Sequence, residues 1–192
     1  RRSRTRRASS CSTRHGCREW VENAPTRRLP ADLQDKRTEG YIWGGYMTTK
    51  RRVLFLCTGN SARSQMAEGL VNHLRGDRWL AFSAGSRPAG YVHPLAIQAM
   101  AELGIDIAGA RSKSVDEFRE HKVDLVVTLC DDAAESCPLW LGQGRRVHVG
   151  FPDPAAVVGS EEERLAAFRT VRDGLRNRLL SLLDAHEGEK ET

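Results

Sequence analysis

One stretch, residues 53–64, constrains the fold of this chain more than any other. It reads Val-Leu-Phe-Leu-Cys-Thr-Gly-Asn-Ser-Ala-Arg-Ser. The apolar run at its start predicts a strand buried on both faces of a parallel sheet. A helix is predicted to follow and to end near Gly76, because apolar residues recur at helical spacing at Met66, Leu70, Val71 and Leu74. The segment from Cys57 to Arg63 is therefore a strand-to-helix turn, the place where open α/β sheets bind their ligands.

The turn combines residue types that suit the binding and attack of an oxyanion. Its short residues let successive backbone N–H groups point inward, and the following helix N-terminus adds positive potential. Arg63 offers a planar fork for two anion oxygens, and Ser64 can donate a hydrogen bond to the cysteine sulfur. In this field Cys57 is expected to be a thiolate, the form that attacks. The predicted oxyanion-binding residues are Thr58, Gly59, Asn60, Ser61, Ala62, Arg63 and Ser64.

The same cysteine also has an ordinary interpretation. An isolated cysteine is more often buried and inert, and its spacing to the arginine arises often by chance. The strand before it and the amphipathic helix after it favour the functional interpretation. Residues 53–70, which contain Cys-Thr-Gly-Asn-Ser-Ala-Arg-Ser-Gln-Met-Ala-Glu-Gly, resemble the low-molecular-weight tyrosine phosphatase superfamily. They are most similar to its arsenate reductase branch, and the resemblance covers residues 47–183.

Strand and helix patterns alternate along the rest of the chain. The other predicted strands are residues 79–84, 122–129 and 146–149. The predicted helices are residues 63–75 and 94–103, a short helix after Ser114, and a last helix that begins at Ser160. This order predicts an α/β fold with a parallel sheet and helices on both faces. The resemblance implies four strands in the order 2-1-3-4.

A second cysteine pair follows the third predicted strand. Cys130 ends that strand, so it is expected at the same sheet edge as Cys57. The polar residues 130–137 are expected to form a mobile flap or a frayed helix that could bring Cys137 to Cys130. Alternatively, Cys130 only finishes a buried strand and Cys137 is incidental. The residues alone leave both interpretations open.

The resemblance assigns roles to these residues. Thioredoxin-coupled arsenate reductases resemble this chain in a Thr-Leu-Cys sequence followed, after six residues, by Cys-Pro. The match implies that Cys57 is the nucleophile and that Cys130 and Cys137 form a disulfide relay in the reduction of arsenate to arsenite, with thioredoxin as reductant. Phosphate would be a substrate analogue. The Asp-Pro-Ala segment at Asp153 matches the general acid of the family.

The chain also departs from its relatives. Many of them carry a second cysteine in the loop, where this chain has Ala62. Some bind potassium through residues that match Asn60, Glu68 and Ser83, but the remaining ligand positions fall at Arg111 and Lys113. Cations are poor neighbours for a potassium ion, so we expect no metal and no cofactor. Glu68 then needs another partner, for which Arg111 is the candidate.

Charge and composition limit the remaining possibilities. The chain has 192 residues and a pI of about 9.2. Residues 1–46 hold 11 basic and 5 acidic residues, whereas residues 47–192 hold 19 and 20, so the catalytic region is near neutral. We therefore expect no nucleic-acid partner. No apolar run has the ~20 residues of a membrane span, and the first residues given do not carry the apolar core of a secretory signal. A cytoplasmic monomer is expected.

Residues 1–46 are predicted to be a disordered basic leader, with the catalytic domain at 47–186 and a polar tail at 187–192. The leader could be upstream sequence that is not native, an organelle transit peptide, or a basic tail that binds an acidic surface. Cys11, Cys17 and His15 are too few for a metal site on such a segment.

Two other functions compete with arsenate reduction. The first is a protein tyrosine phosphatase, since phosphate and arsenate are alike in shape and charge. The second is a non-catalytic oxyanion-binding or redox-sensing module. The relay cysteines argue against the first, and the combination of nucleophile, arginine and acid argues against the second.

Overall fold

The computed structural model describes residues 42–43, 46–47, 49–130 and 142–188. Two predicted segments lie outside the described residues: nearly all of the leader, and residues 131–137 of the flap, which include Cys137. The catalytic region belongs to a compact unit that spans residues 39–192.

The fold is built on a four-stranded parallel sheet. The strands are β1 (Arg51–Cys57), β2 (Trp79–Gly85), β3 (Leu125–Cys130) and β4 (Arg145–Phe151). Their spatial order is β2-β1-β3-β4, which confirms the predicted order 2-1-3-4. The central strand β1 is flanked on both sides, so its carboxyl end lies in the middle of the sheet edge. That edge is where an α/β sheet of this kind presents its site.

Among the described residues, three α-helices and two short 3₁₀ helices accompany the sheet. The α-helices are α1 (Arg63–Leu74), α2 (Pro94–Ala101) and α3 (Glu161–Gly188), and the 3₁₀ helices are Val115–Phe118 and Pro154–Ala156. The His93 side chain accepts a hydrogen bond from the Leu95 N–H and so caps α2, whose first residue is a proline. Ser114 and Glu117 form the predicted capping box.

Both faces of the sheet are buried. Val53 and Phe55 of β1 join a large apolar cluster with residues of α1, α2 and α3. Leu54 and Leu56 point to the opposite face, where they pack in a smaller cluster with Phe118. These four side chains are completely buried, and each contributes about 1.5–3 kcal/mol to folding. The alternation explains why β1 reads as a continuous apolar run.

Some boundaries differ from the sequence predictions. Ile42–Trp43 and Tyr46–Met47 pair as short antiparallel strands at the end of the predicted leader. Aromatic and β-branched residues on either side of Gly-Gly favour such a pairing. Strand β3 starts at Leu125 rather than residue 122, because the Asp124 carboxylate accepts a hydrogen bond from the Arg52 N–H before the ladder begins.

The last helix also differs, since it continues to Gly188 and so enters the segment predicted as a polar tail. Its final turn is held by long-range contacts. Arg51 donates to the His186 carbonyl at 2.9 Å, and the Trp79 indole N–H donates to the Glu187 carboxylate at 2.6 Å. No helix among the described residues has the length and apolarity needed to cross a membrane.

Candidate active site

The anion loop, residues 58–62, connects β1 to α1 and is fixed from outside through its carbonyl groups. The segment 87–93 donates three backbone hydrogen bonds to it: Arg87 to the Thr58 carbonyl at 2.9 Å, Ala89 to Gly59 at 2.8 Å and His93 to Ser61 at 2.8 Å. Because these carbonyls face outward, the N–H groups between them are left for the inside of the turn. Within the part of the chain that the structure describes, those of Gly59, Ser61 and Ala62 donate to no other group.

Helix α1 adds its own N-terminus to the same point. The residue that precedes it, Ala62, provides no side-chain cap. The first amide groups of the helix are therefore free to bind an anion, and the helix dipole favours negative charge there.

The loop has a tight shape that two residues make possible. Asn60 adopts a left-handed conformation with φ of 45°, which asparagine tolerates better than most residues. Gly85, at the end of β2, lies directly behind the loop. A Cβ atom at this position would stand 2.6 Å from the Thr58 carbonyl oxygen and 2.9 Å from the Asn60 nitrogen. A glycine is therefore required for the sheet to approach the loop.

Cys57 lies at the floor of the loop and is 2% exposed. Its sulfur is 2.9 Å from the Ser64 hydroxyl, and it accepts a hydrogen bond from the Asn60 N–H at 3.2 Å. The Asn60 amide nitrogen donates to the Ser64 oxygen at 2.8 Å, so the Ser64 proton is free to point at the sulfur. With both hydrogen bonds donated to it, the sulfur is arranged as an acceptor, which suits a thiolate.

Arg63 joins the loop to the residues that follow β4. The residue is 8% exposed, and its guanidinium donates to the Phe151 carbonyl at 3.0 Å and lies 3.5 Å from the Asp153 carboxylate. Asp153 is half-exposed and also accepts a hydrogen bond from the Ala155 N–H, while the next residue, Pro154, is buried. The structure thus brings Asp153, which lies 90 residues after Arg63 in the chain, to the loop.

Cys130 lies at the same edge, at the end of β3. Its side chain is buried, and its sulfur is 3.5 Å from the Thr58 hydroxyl. The pairing of β3 with β4 shifts register between Thr128 and Cys130, which locally disrupts the ladder just before the cysteine. Both Cys57 and Cys130 are free thiols. Of the five predicted catalytic residues, Cys137 alone lies outside the described residues.

A polar network supports the loop from below, and it corrects one prediction. Glu68 pairs with the Lys113 ammonium group at 2.9 Å, not with Arg111. Arg111 instead forms a two-pronged ion pair with Glu117, whose carboxylate the capping box holds nearby. A potassium ion does not fit these residues, because an ammonium group already occupies the Glu68 carboxylate. Residues 49–130 and 142–187 contain no cluster of three His, Cys, Asp or Glu side chains that could hold a metal.

Residues 52–191 match the low molecular weight phosphotyrosine protein phosphatase family. The chain belongs to this family. Among its relatives is an arsenate reductase of Bacillus subtilis, 50% identical over 127 residues, which are 66% of this chain and 91% of the relative. The family also accounts for the sheet order and for the position of the loop at its edge.

Solved structures of relatives have the same fold. One is an arsenate reductase in a phosphate-binding state, with a TM-score of 0.58 and 32% identity, covering 70% of this chain and 98% of its own. Another is a thioredoxin-dependent arsenate reductase of Corynebacterium glutamicum, with a TM-score of 0.50 and 28% identity. That match covers 74% of this chain and 66% of the other.

Two contacts of the site were not predicted from the sequence. Thr58 was expected to bind the oxyanion only, yet its hydroxyl also contacts Cys130. His93 was not singled out, although its N–H holds the Ser61 carbonyl and its ring stacks on Phe168 with the ring centres 4.6 Å apart. The sequence His-Pro at the start of a helix was the available signal for His93, since it marks an N-cap.

Replacing His93 by asparagine is expected to make the fold less sensitive to acid. Burial lowers the pKa of His93 below its ordinary value of 6.5, and the charge of Arg164 lowers it further, while Asp153 opposes the shift. The unfolded chain therefore takes up this proton first, so the free energy of unfolding falls as the pH drops below about 6.5. Asparagine can keep the cap through its side-chain oxygen.

Urea unfolding at about pH 7.5 and about pH 5.5 measures this effect, because the histidine contributes in that interval and most carboxylates do not. The variant should lose less stability between the two conditions than the parent. Equal losses would show that another group causes the acid sensitivity.

Proposed function

We propose that this chain reduces arsenate to arsenite, with Cys57 as the nucleophile. The observation that carries the proposal is the meeting of two free cysteines at one anion loop. Cys57 forms its floor, and Cys130 contacts its first residue, Thr58. A phosphatase needs only the first of these thiols. The arsenate reductases among the relatives support the same conclusion.

Substrate binding would use the inward N–H groups, the N-terminus of α1 and Arg63. In the structure Arg63 lies beside Asp153. An arsenate dianion would compete for the guanidinium, since bidentate pairing with a tetrahedral oxyanion is strong. Asp153 would then be released from its cation. Its carboxyl group would then be available to the leaving oxygen, as a general acid requires.

The first chemical step would be attack of the Cys57 thiolate on arsenic. A sulfur–arsenic bond forms, one arsenic–oxygen bond breaks, and Asp153 protonates the oxygen that leaves as water. Arsenic remains in its higher oxidation state. In the second step Cys130 attacks the Cys57 sulfur, and the electron pair of the sulfur–arsenic bond passes to arsenic. Arsenite is released, and the two cysteines are oxidised to a disulfide.

Regeneration would use Cys137 and an external dithiol. Attack of Cys137 on Cys130 frees Cys57 and moves the disulfide to Cys130–Cys137. Reduced thioredoxin then accepts the oxidising equivalents by thiol–disulfide exchange. The relative described as thioredoxin-dependent supports this choice of reductant. Such a cycle needs a compartment that keeps thiols reduced, so we place it in the cytoplasm.

Arsenite production by the full chain tests the proposal. The assay compares thioredoxin with its reductase against glutaredoxin with glutathione and against a mycothiol system. Thioredoxin should support many turnovers, and the other two systems should support far fewer. If no system yields arsenite while an aryl phosphate is hydrolysed rapidly, the chain is a phosphatase. If neither reaction occurs but phosphate binds, it is an oxyanion-binding module.

A further inference from the structure

Lys113 contacts the support of the anion loop at two points. Its backbone N–H donates to the Asn60 side-chain oxygen at 2.6 Å, and its ammonium group lies 2.9 Å from the Glu68 carboxylate. The two side chains of this ion pair are 12% and 23% exposed. Ion pairs shielded from solvent to this degree are screened less than surface pairs. Lys113 is also anchored, since its carbonyl accepts from the Gly85 N–H.

The backbone contact fixes which way the Asn60 amide points. A backbone N–H can only donate, so the Asn60 atom that faces Lys113 must be the oxygen. The Gln65 amide donates to the same oxygen at 3.0 Å. The Asn60 nitrogen is thereby turned toward Ser64 and Ser83, to each of which it donates at 2.8 Å.

The direction of every further hydrogen bond follows from that orientation. Ser83 accepts from Asn60, so its own proton goes to the Glu68 carboxylate at 2.5 Å. Glu68 is then the acceptor, and the same carboxylate oxygen also lies 2.9 Å from the Lys113 ammonium group. On the other branch Ser64 accepts from Asn60, and its proton points at the Cys57 sulfur. The network thus delivers a donated hydrogen bond to the nucleophile through Asn60 and Ser64, while Ser83 and Glu68 hold the other hydrogen of the Asn60 amide in place.

A Glu68 carboxylate behind the loop would by itself weaken anion binding by the loop. A carboxylate in a shielded position repels an oxyanion and a thiolate, and it is unfavourable without a partner. In the structure the Lys113 ammonium group supplies that partner. Its charge allows Glu68 to remain an acceptor without adding net negative charge beneath an anion site.

We propose that Lys113 is a positioning residue for the anion loop, acting as the built-in counter-ion of Glu68. This proposal rests on the proposed function in one respect only, namely that the loop binds an oxyanion. Lys113 touches neither the substrate nor Cys57. It maintains the orientation of Asn60 and the charge balance that the loop needs to bind the anion and present the thiolate.

Lys113→Met tests the proposal, because methionine keeps much of the length of the side chain and removes its charge. Inorganic phosphate is the probe, with its Kd measured by calorimetry. We expect phosphate to bind about tenfold more weakly, since a shielded carboxylate is left without its ion-pair partner. The KM for arsenate should rise by a similar factor. Arg111→Met is the matched control, because Arg111 is exposed and pairs with Glu117 instead. It should leave the phosphate Kd unchanged.

The double variant Glu68→Gln/Lys113→Met distinguishes a counter-ion role of Lys113 from a packing role. Removing the carboxylate also removes the charge that the ammonium group balances, so the double variant should recover most of the phosphate affinity. A second readout is the rate at which iodoacetamide alkylates Cys57, followed by peptide mapping. It should fall in Lys113→Met and recover in the double variant.

Unchanged phosphate affinity in Lys113→Met would overturn the proposal. Loss without recovery in the double variant would also overturn it, because the lysine would then act through packing alone. Both readouts are independent of arsenate turnover. A parent protein that forms no arsenite, yet shows this loss and recovery, would refute the proposed function and leave the role of Lys113 standing.

Discussion

Replacing Cys57 by serine is expected to abolish arsenate reduction and aryl phosphate hydrolysis together. Both reactions would begin with attack of the same sulfur on a tetrahedral oxyanion, and a serine hydroxyl is a much weaker nucleophile than a thiolate. Removal of the nucleophile from an enzyme that forms a covalent intermediate can lower kcat by on the order of 10⁶. Initial rates with arsenate plus thioredoxin, and with an aryl phosphate, measure the two losses.

The same variant should still bind phosphate, because the loop N–H groups and Arg63 remain. Phosphate binding therefore serves as its folding control. Asp153→Asn is a graded comparison, since it removes a proton donor and keeps the nucleophile. A loss of roughly 10²–10⁴ is expected there. If either activity survives in Cys57→Ser, the nucleophile lies elsewhere and the assigned site is wrong.

The strand, turn and helix around Cys57 could be predicted from the sequence because their signals are local. An apolar run, short residues and helical spacing each act within a few positions. The end of β1 and the start of α1 in the structure, at Cys57 and Arg63, match that pattern. The capping box at Ser114 and Glu117 was readable for the same reason.

Contacts between distant segments were harder to predict from local sequence patterns. Asp153 belongs to an Asp-Pro pair of a kind that is common in turns, and only the family resemblance singled it out. Its approach to Arg63 depends on the neighbouring positions of β1, β3 and β4 in the sheet. The partner of Glu68 was predicted wrongly because two cations, Arg111 and Lys113, stand two residues apart. Charge alone could not show that Glu117 would hold the first of them.

Replacing Cys130 by serine is expected to separate the two activities that Cys57→Ser removes together. Multiple-turnover arsenate reduction should fall to background, because the variant lacks the thiol that would attack the Cys57 sulfur and release arsenite. Aryl phosphate hydrolysis should stay within about twofold of the parent, since a small polar substitution that leaves the nucleophile, the arginine and the acid in place removes no interaction specific to that transition state. The Thr58 hydroxyl can still pair with the new serine. Full arsenate turnover in this variant would refute the assignment of Cys130 to the relay.

The position of Cys130 predicts the order of the two attacks in the relay. Cys130 is anchored at the end of β3, and its sulfur already contacts the anion loop through Thr58. A disulfide requires Cα atoms within about 7 Å, a condition that a residue on the neighbouring strand of the sheet can meet. We therefore expect Cys130 to attack first and Cys137 second. A single turnover of Cys137→Ser with arsenate should trap a Cys57–Cys130 disulfide, visible by peptide mapping. Cys130→Ser should trap no Cys57–Cys137 disulfide at comparable yield. If that bond forms instead, Cys137 makes the first attack, and the contact between Thr58 and Cys130 has no part in the transfer of electrons to arsenic.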